Sequence, residues 1–130
     1  MEGIKTTKDY LTKAIELVSG ERAKEYGDKV SNHWNIANFW TMYLGMRVTA
    51  HDVAIMMTLL KIARTKLGDR TDDTYIDASA YMAIAGECEK KNKEQLEFNL
   101  KQKEEEEGVR RGRETKEYID KINKEKEEGK

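Results

Sequence analysis

The chain has 130 residues, with 24 basic and 25 acidic side chains and a net charge of −1 at pH 7. This balance excludes a general nucleic-acid binder and a binder of acidic membrane surfaces, because both need an excess of basic residues. One cysteine excludes an internal disulfide and a multi-cysteine zinc site. No apolar run approaches the roughly 18 residues of a membrane span, and residues 1–7 lack the apolar core of a signal peptide. We therefore expect a cytoplasmic protein with no membrane partner.

The composition changes sharply after Cys88. Of the first 88 residues, 42 are apolar and 23 are charged, whereas of the last 42 residues 7 are apolar and 26 are charged. Only the first part has the composition of a globular domain. We therefore predict a helical bundle domain over residues 1–88 and a charged extension or tail over residues 89–130.

The first two predicted helices follow each other across a short polar segment. The first begins at Thr7, which is predicted to be its N-cap, and ends at Gly20. Its apolar stripe consists of Tyr10, Leu11, Ala14, Ile15 and Val18. Residues 21–28 are predicted to form a loop or a frayed turn. The second helix is predicted over residues 29–44, with Gly45 in the C′ position. Its stripe consists of Val30, Trp34, Ala37, Trp40, Thr41 and Leu44.

The third and fourth predicted helices follow at similar spacing. Thr49 opens the third, with Asp52 as the other member of a capping box, and Gly68 closes it. Its stripe consists of Val53, Met56, Met57, Leu60, Ala63 and Leu67. The fourth begins near Thr71 or Asp72. Its stripe runs through Ile76, Ala80, Ile84 and Cys88.

These elements predict an all-α fold, a compact four-helix bundle over residues 7–88 with short connections between antiparallel neighbours. So small a core is marginally stable alone, which favours a homo-oligomer. Beyond residue 88 the strong helix formers continue without a heptad repeat, and Gly108 and Gly112 introduce weak points. The extension is therefore predicted to be a solvated continuation of the fourth helix that frays into a mobile tail, rather than a coiled coil.

Ionisable side chains fall on the predicted apolar faces when each helix is drawn at 100° per residue. Arg64 lies within the stripe of the third helix, and Lys61 lies at the edge of that stripe. Asp73 and Asp77 align with the buried stripe of the fourth helix. His33 shares the apolar face of the second. Unpaired buried charges cost several kcal/mol, so these groups must pair with each other or reach water.

Two arrangements satisfy that requirement. In the first, Asp73 and Asp77 clamp Arg64 in an internal salt bridge that orders the bundle. In the second, the bundle opens into a polar cleft that holds a divalent cation and a phosphate. The cation ligands would be Asp73 and Asp77, with Asp52 or Asp28 in addition. The phosphate contacts would be Lys61, Arg64 and His33.

Asp28 has a second interpretation of its own. It stands immediately before the second predicted helix, whose exposed N–H groups could receive a phosphate. The same position is typical of an N-cap, and general N-cap preferences favour that role.

The ordered motifs resemble those of a family of small, mostly phage-encoded proteins of uncharacterised function, over roughly residues 10–87. The motifs are Tyr26-Gly27-Asp28, Asn32-His33, Trp40, Tyr43-Leu44-Gly45, His51-Asp52-Val53-Ala54, Met57, Leu60-Lys61-Ile62-Ala63-Arg64, Asp72-Asp73-Thr74-Tyr75-Ile76-Asp77 and Tyr81. The resemblance implies a phage protein that acts in the cytoplasm of an infected bacterium.

That family is distantly similar to the MazG-type all-α nucleoside triphosphate pyrophosphohydrolases, helical oligomers that use carboxylates and magnesium to cleave between the α and β phosphates. The resemblance implies catalytic Asp73 and Asp77, with Asp52 as a further Mg²⁺ ligand. It implies nucleotide or phosphate contacts from Lys61, Arg64, His33 and Asp28. The hydrolases carry Glu-x-x-Glu and then Glu-x-x-Asp on successive helices. Fewer carboxylates are present here, which predicts a weaker magnesium site.

Three functions are compatible with these features. The first is a magnesium-dependent nucleotide pyrophosphohydrolase. The second is a protein that binds a nucleotide or nucleotide-derived signal without catalysis and so acts as a sponge against a host defence system. The third is an inhibitor whose bundle or tail binds a host defence protein directly, with the polar cluster in a structural role. We favour nucleotide binding of the pyrophosphohydrolase-like kind, because it accounts for inward charges of both signs.

Overall fold

The computed structural model describes residues 3–20 and 28–129. Four helices occupy these ranges: α1 (Thr7–Ser19), α2 (Lys29–Leu44), α3 (Ala50–Lys66) and α4 (Asp72–Glu128). No strand occurs in either range, so the prediction of an all-α fold with four helices is confirmed. The predicted loop over residues 21–28 lies outside the described residues except for Asp28.

The chain divides into two compact units, residues 1–91 and residues 92–130. The first unit contains α1, α2, α3 and the N-terminal part of α4. The second contains the rest of α4. Within the described ranges, no helix combines the length and the hydropathy that a membrane span requires.

Local capping chemistry sets the helix ends. α1 begins one residue earlier than predicted, because Thr6 is the N-cap and forms a reciprocal capping box with Asp9. The predicted capping box of α3 is confirmed: Thr49 Oγ1 accepts from the backbone N–H of Asp52 at 3.1 Å, and an Asp52 carboxylate oxygen accepts from the backbone N–H of Thr49 at 2.9 Å. Gly45 ends α2 in the left-handed conformation at φ 68°, which a residue with a Cβ rarely adopts.

Small side chains form the core of the first unit. One cluster consists of Val30, Ala50, Ala54, Ile84, Ala85 and Cys88. A second consists of Ala14, Ile76 and Ala80, against which Ile4, Tyr10, Leu17 and Val18 pack. Since Ala50 and Ala54 pack beside Cys88 while Lys61 pairs with Asp77, α3 and α4 run antiparallel. Alanine at these contacts allows the helix backbones to approach closely.

The predicted stripes are correct for α4 and wrong in part for the other three helices. All four members of the α4 stripe are buried. The exposed members of the other stripes are Leu11, Ile15, Trp34, Leu44, Met56, Leu60, Ala63 and Leu67. α3 shows the reason: it is apolar over most of its circumference, and tertiary packing buries the side with Ala50, Ala54 and Thr58.

The charged C-terminal part is helical through Glu128, so the predicted long C-terminal helical extension is confirmed. Gly108 and Gly112 lie within the helix, with open space where a Cβ would stand. Neighbouring turns are linked by side-chain pairs that support a solvated helix. Among them, Arg110 Nε lies 3.8 Å from Glu114 Oε1.

Candidate functional site

An ion pair between α3 and α4 is the centre of the candidate site. Lys61 Nζ lies 3.0 Å from Asp77 Oδ2, with exposed side-chain fractions of 14% and 31%. Lys61 follows Thr58 on the core side of α3, and Asp77 follows the buried Ile76 on α4. The helical phase therefore holds both groups at the edge of the core. Lys61 was predicted at the edge of its stripe and Asp77 on the apolar face of the fourth helix, and the structure joins the two in an ion pair.

Asp77 also lines a groove of about 370 Å³ between α1 and α4. α1 contributes Lys13, Glu16 and Leu17, and α4 contributes Asp73, Ile76 and Asp77. A volume of this size falls in the range of small-molecule sites. The groove thus has charged walls of both signs above an apolar floor of leucine and isoleucine.

Contacts at the start of α4 hold α1 in place beside the groove. The Tyr10 hydroxyl donates to Asp72 Oδ1 at 2.7 Å, and its ring meets Tyr75 edge-on with the centroids 6.1 Å apart. The same hydrogen bond raises the pKa of Tyr10, because it stabilises the neutral phenol. These contacts set the separation of the two helices that form the groove.

Arg64 and Asp73 are placed differently from the prediction, because both are exposed. On α3, Lys61 takes the position nearest α4, and Arg64 lies further round the helix. In the first turn of α4 the buried residue is Thr74, whose hydroxyl donates to Asp69 Oδ1 at 3.3 Å. The predicted clamp on Arg64 is therefore wrong, and the ion pair that forms joins Lys61 to Asp77.

His33 is buried as predicted, with 7% of its surface exposed. Its Nδ1 lies 2.7 Å from the carbonyl oxygen of Lys29, a distance that assigns the proton to Nδ1. The ring meets the edge of Tyr81 at 6.2 Å between centroids, and Nε2 is buried with no hydrogen-bond partner among the described residues. The phosphate contact from His33 stays a prediction.

Asp28 and Asp52 serve as helix-capping residues. Asp28 Oδ2 accepts from the backbone N–H and the hydroxyl of Ser31, at 3.1 and 2.8 Å. These bonds hold the pKa of Asp28 below its usual value, and the backbone bond from Thr49 does the same for Asp52. The capping interpretation of Asp28 is confirmed.

The predicted three-carboxylate metal site is not assembled. Asp52 precedes Lys61 by nine residues, which places it about 13 Å further along α3 from the Asp77 ion pair. In residues 3–20 and 28–129, no group of three or more histidine, cysteine, aspartate or glutamate side chains could hold a metal ion. Asp73 and Asp77, one turn apart on α4, are the carboxylates that remain at the groove.

Lys13 and Glu16 are site residues that the sequence did not indicate. Their ion pair of 3.2 Å lies on the surface of α1 and is an ordinary i,i+3 pair. Only the packing of α1 against α4 brings it to the groove. Cys88, by contrast, is buried in the core, and burial raises the pKa of its thiol, which disfavours the thiolate.

The fold and the groove define a small helical-bundle protein with a charged ligand-sized groove. The chain belongs to the family described as a domain of unknown function, DUF6378, whose model matches residues 9–89. It is 46% identical over 75 residues to the Gene 55 protein of Mycobacterium phage L5, covering 57% of this chain and 48% of that protein. It is 36% identical over 75 residues to the Gene 55 protein of Mycobacterium phage D29, covering 58% and 50%.

The chain thus spans about half the length of these curated relatives. No solved structure matches it. The prediction of an uncharacterised phage family is confirmed.

Proposed function

We propose that this phage protein binds a nucleotide or a nucleotide-derived signal at the α1–α4 groove, with Lys61 as the principal phosphate contact. The observation that supports the proposal is the Lys61–Asp77 ion pair. It lies between α3 and α4 with both side chains partly buried, and its Asp77 lines a groove large enough for a small molecule. Partial removal from water strengthens the electrostatic interaction of each charge with a bound group. A phosphate at Lys61 and a cation at Asp77 would use both charges.

Charges beside the pair extend the site. α3 and α4 run antiparallel, so Arg64, three residues after Lys61, lies near the level of Asp73. Arg64 forms no ion pair within the described part of the chain, and its guanidinium is free to take a phosphate in bidentate geometry. A phosphate between Lys61 and Arg64 would replace Asp77 as the partner of Lys61.

A magnesium ion fits this site only together with the nucleotide. Proteins commonly hold Mg²⁺ with one or two carboxylates and complete its octahedron with water and substrate phosphates. Asp73 and Asp77 supply two carboxylates one turn apart. When bound, the ion would supply a Lewis acid and an activated water, the chemistry of a MazG-like pyrophosphohydrolase. The chain's own contribution is to orient the phosphates with Lys61 and Arg64 and to neutralise their charge.

Binding is tested by titration calorimetry and thermal unfolding of the full chain with ribonucleoside and deoxyribonucleoside triphosphates, with and without Mg²⁺. A ligand at 100 times its Kd stabilises the native state by about 2.7 kcal/mol, an easily measured rise in Tm. We expect Lys61→Met and Arg64→Ala to weaken binding by at least about tenfold, the loss of one charge-assisted hydrogen bond. Lys90→Met, at an exposed position of α4 away from the groove, is the matched control. The proposal fails if no nucleotide at millimolar concentration raises Tm.

A turnover assay distinguishes a pyrophosphohydrolase from a protein that only sequesters a nucleotide. Pyrophosphate release that requires Mg²⁺ and disappears in a folded Asp77→Asn variant would establish a pyrophosphohydrolase. Stoichiometric binding without release would establish a sponge for a nucleotide signal of the host defence. Either activity would operate in the cytoplasm of the infected bacterium, where nucleotides and their derivatives are found.

A further inference from the structure

The first unit has its largest apolar side chains on the outside. Six of its buried apolar residues are alanines, and the largest fully buried side chains are Val53 and Cys88. None of the leucine, methionine, phenylalanine or tryptophan residues in the described ranges is buried. Residues 29–67 expose eleven large ones: Trp34, Phe39, Met42, Tyr43, Leu44, Met46, Met56, Leu59, Leu60, Ile62 and Leu67. Soluble monomers rarely leave large contiguous apolar patches in water.

α3 carries the most regular part of this surface. Its outer stripe consists of Met56, Leu59, Leu60, Ala63 and Leu67, at the three-and-four spacing of one helix face. At 100° per residue this stripe lies on the side opposite Ala50, Ala54 and Thr58, which face the core. Between Met56 and Leu67 no charged residue falls within the stripe, which is the pattern of a helix that packs on both sides.

We propose that the outer stripe of α3 is a homodimer interface, in which the stripe packs antiparallel against the same stripe of a second copy around a two-fold axis near Leu59. Such an interface is self-complementary, and two-fold dimers are the commonest oligomers. The four large side chains of the stripe, Met56, Leu59, Leu60 and Leu67, present on the order of 500 Å² of surface, taking about 200 Å² for each fully exposed large side chain. A stable interface needs about 800 Å² from each partner, so the stripe would form the centre of the interface and exposed side chains of α2, such as Phe39 and Tyr43, would supply the rest.

Charge placement selects the antiparallel orientation. Asp52 and Lys66 are both exposed and lie within about 20° of Leu59 around the axis of α3, seven residues before and seven residues after it. A two-fold axis at Leu59 brings Asp52 of each copy to the level of Lys66 of the other, which makes two opposite-charge pairs. A parallel pairing would instead place each charge beside its own equivalent, and like charges disfavour it.

Dimerisation would also compensate for the low stability that the small core of one chain provides. A helical domain of this size buries too little apolar surface to be more than marginally stable alone. Covering the α3 stripe adds leucine and methionine burial that the chain by itself does not supply. The groove between α1 and α4 does not use this stripe, so the dimer is independent of the proposed nucleotide site.

The experiment is sedimentation velocity and light scattering of the full chain from 1 to 100 µM, with circular dichroism as the folding check. We expect the native chain to be a dimer. In Leu59→Glu the Kd of dimerisation should rise at least about 100-fold, so that this variant is a monomer. The control variant Leu11→Glu, which places the same charge at an exposed position of α1, should remain a dimer. If Leu59→Glu fails to fold, Leu59→Cys replaces it, and oxidation is expected to yield a disulfide-linked dimer, because residues at a two-fold axis meet their own equivalents. A native chain that stays monomeric, a Leu59→Glu variant that stays dimeric, or no cross-link from Leu59→Cys would overturn the proposal.

Discussion

The coupling free energy between Lys61 and Asp77 measures how strongly two opposite charges interact at the edge of the core. We consider Lys61→Met, which keeps the stem that packs along α3, and Asp77→Asn, which keeps the shape of the carboxylate. Each single change leaves the other charge without its partner at 3.0 Å. The double variant removes both charges and leaves no unpaired ion.

The expected magnitude follows from the exposure of the pair. Breaking a fully buried pair costs about 3–5 kcal/mol, and exposed pairs contribute about 0.2–1 kcal/mol. With 14% and 31% of the two side chains exposed, the pair lies between these limits. We therefore expect Asp77→Asn to lower the free energy of unfolding by about 1–2 kcal/mol, or Tm by roughly 5–15 °C for a unit of this size. The coupling energy from the full cycle is expected to be of similar size.

Urea unfolding of the four variants measures the cycle, and the Lys13–Glu16 pair supplies the comparison. That pair has nearly the same distance, 3.2 Å, but exposed fractions of 51% and 60%. Its coupling should be at most about 0.5 kcal/mol and should vanish in salt, whereas the Lys61–Asp77 coupling should persist. Equal couplings for the two pairs would refute the argument that burial strengthens the ion pair.

Three further predictions concern helix ends and backbone conformation. Thr49→Ala removes the capping box of α3 and should lower the free energy of unfolding by about 1 kcal/mol in urea melts, with Thr49→Ser close to the native value. A free energy of unfolding that does not change in Thr49→Ala would contradict this role. Gly86→Ala, in a helical position with open space, should stabilise by about 0.5–1 kcal/mol, whereas Gly45→Ala, at φ 68°, should destabilise by at least that amount; thermal melts that show the same sign for both would disprove this. The lowered pKa values of Asp28 and Asp52 mean that their stabilisation is present above about pH 4 and lost as the pH falls through the native pKa. Asp28→Asn, which keeps an N-cap, should therefore show a smaller fall in Tm from pH 5 to pH 3 than the native chain.

Local chemistry accounts for what the sequence predicted well. The bounds of α2 agree with the structure, and Gly45 ends that helix in the expected left-handed conformation. The Thr49–Asp52 capping box was also predictable, since both partners lie within one turn. Each of these features depends on residues close together in the chain, so no tertiary contact is needed to specify them.

The candidate site was predictable only in part. The sequence indicates both Lys61 and Asp77, but it predicts Arg64 as the partner of Asp77 and gives no indication of Lys13. On a helix as apolar as α3, the hydrophobic pattern does not fix the rotation of the helix about its axis. That rotation decides whether Lys61 or Arg64 faces α4.

The sequence by itself determined four helices, the bounds of α2, the capping box of α3, and the change of composition that separates the bundle from the charged extension, because propensity, capping and amphipathic period act over a few residues. The tertiary structure alone decided which faces are buried. Where the helices approach closely, only small side chains such as alanine fit between them. The larger apolar side chains therefore lie on the surface of the bundle. The same packing brings Lys13, Lys61 and Asp77 from three helices to one side of the bundle, since distant residues meet only when the helices pack.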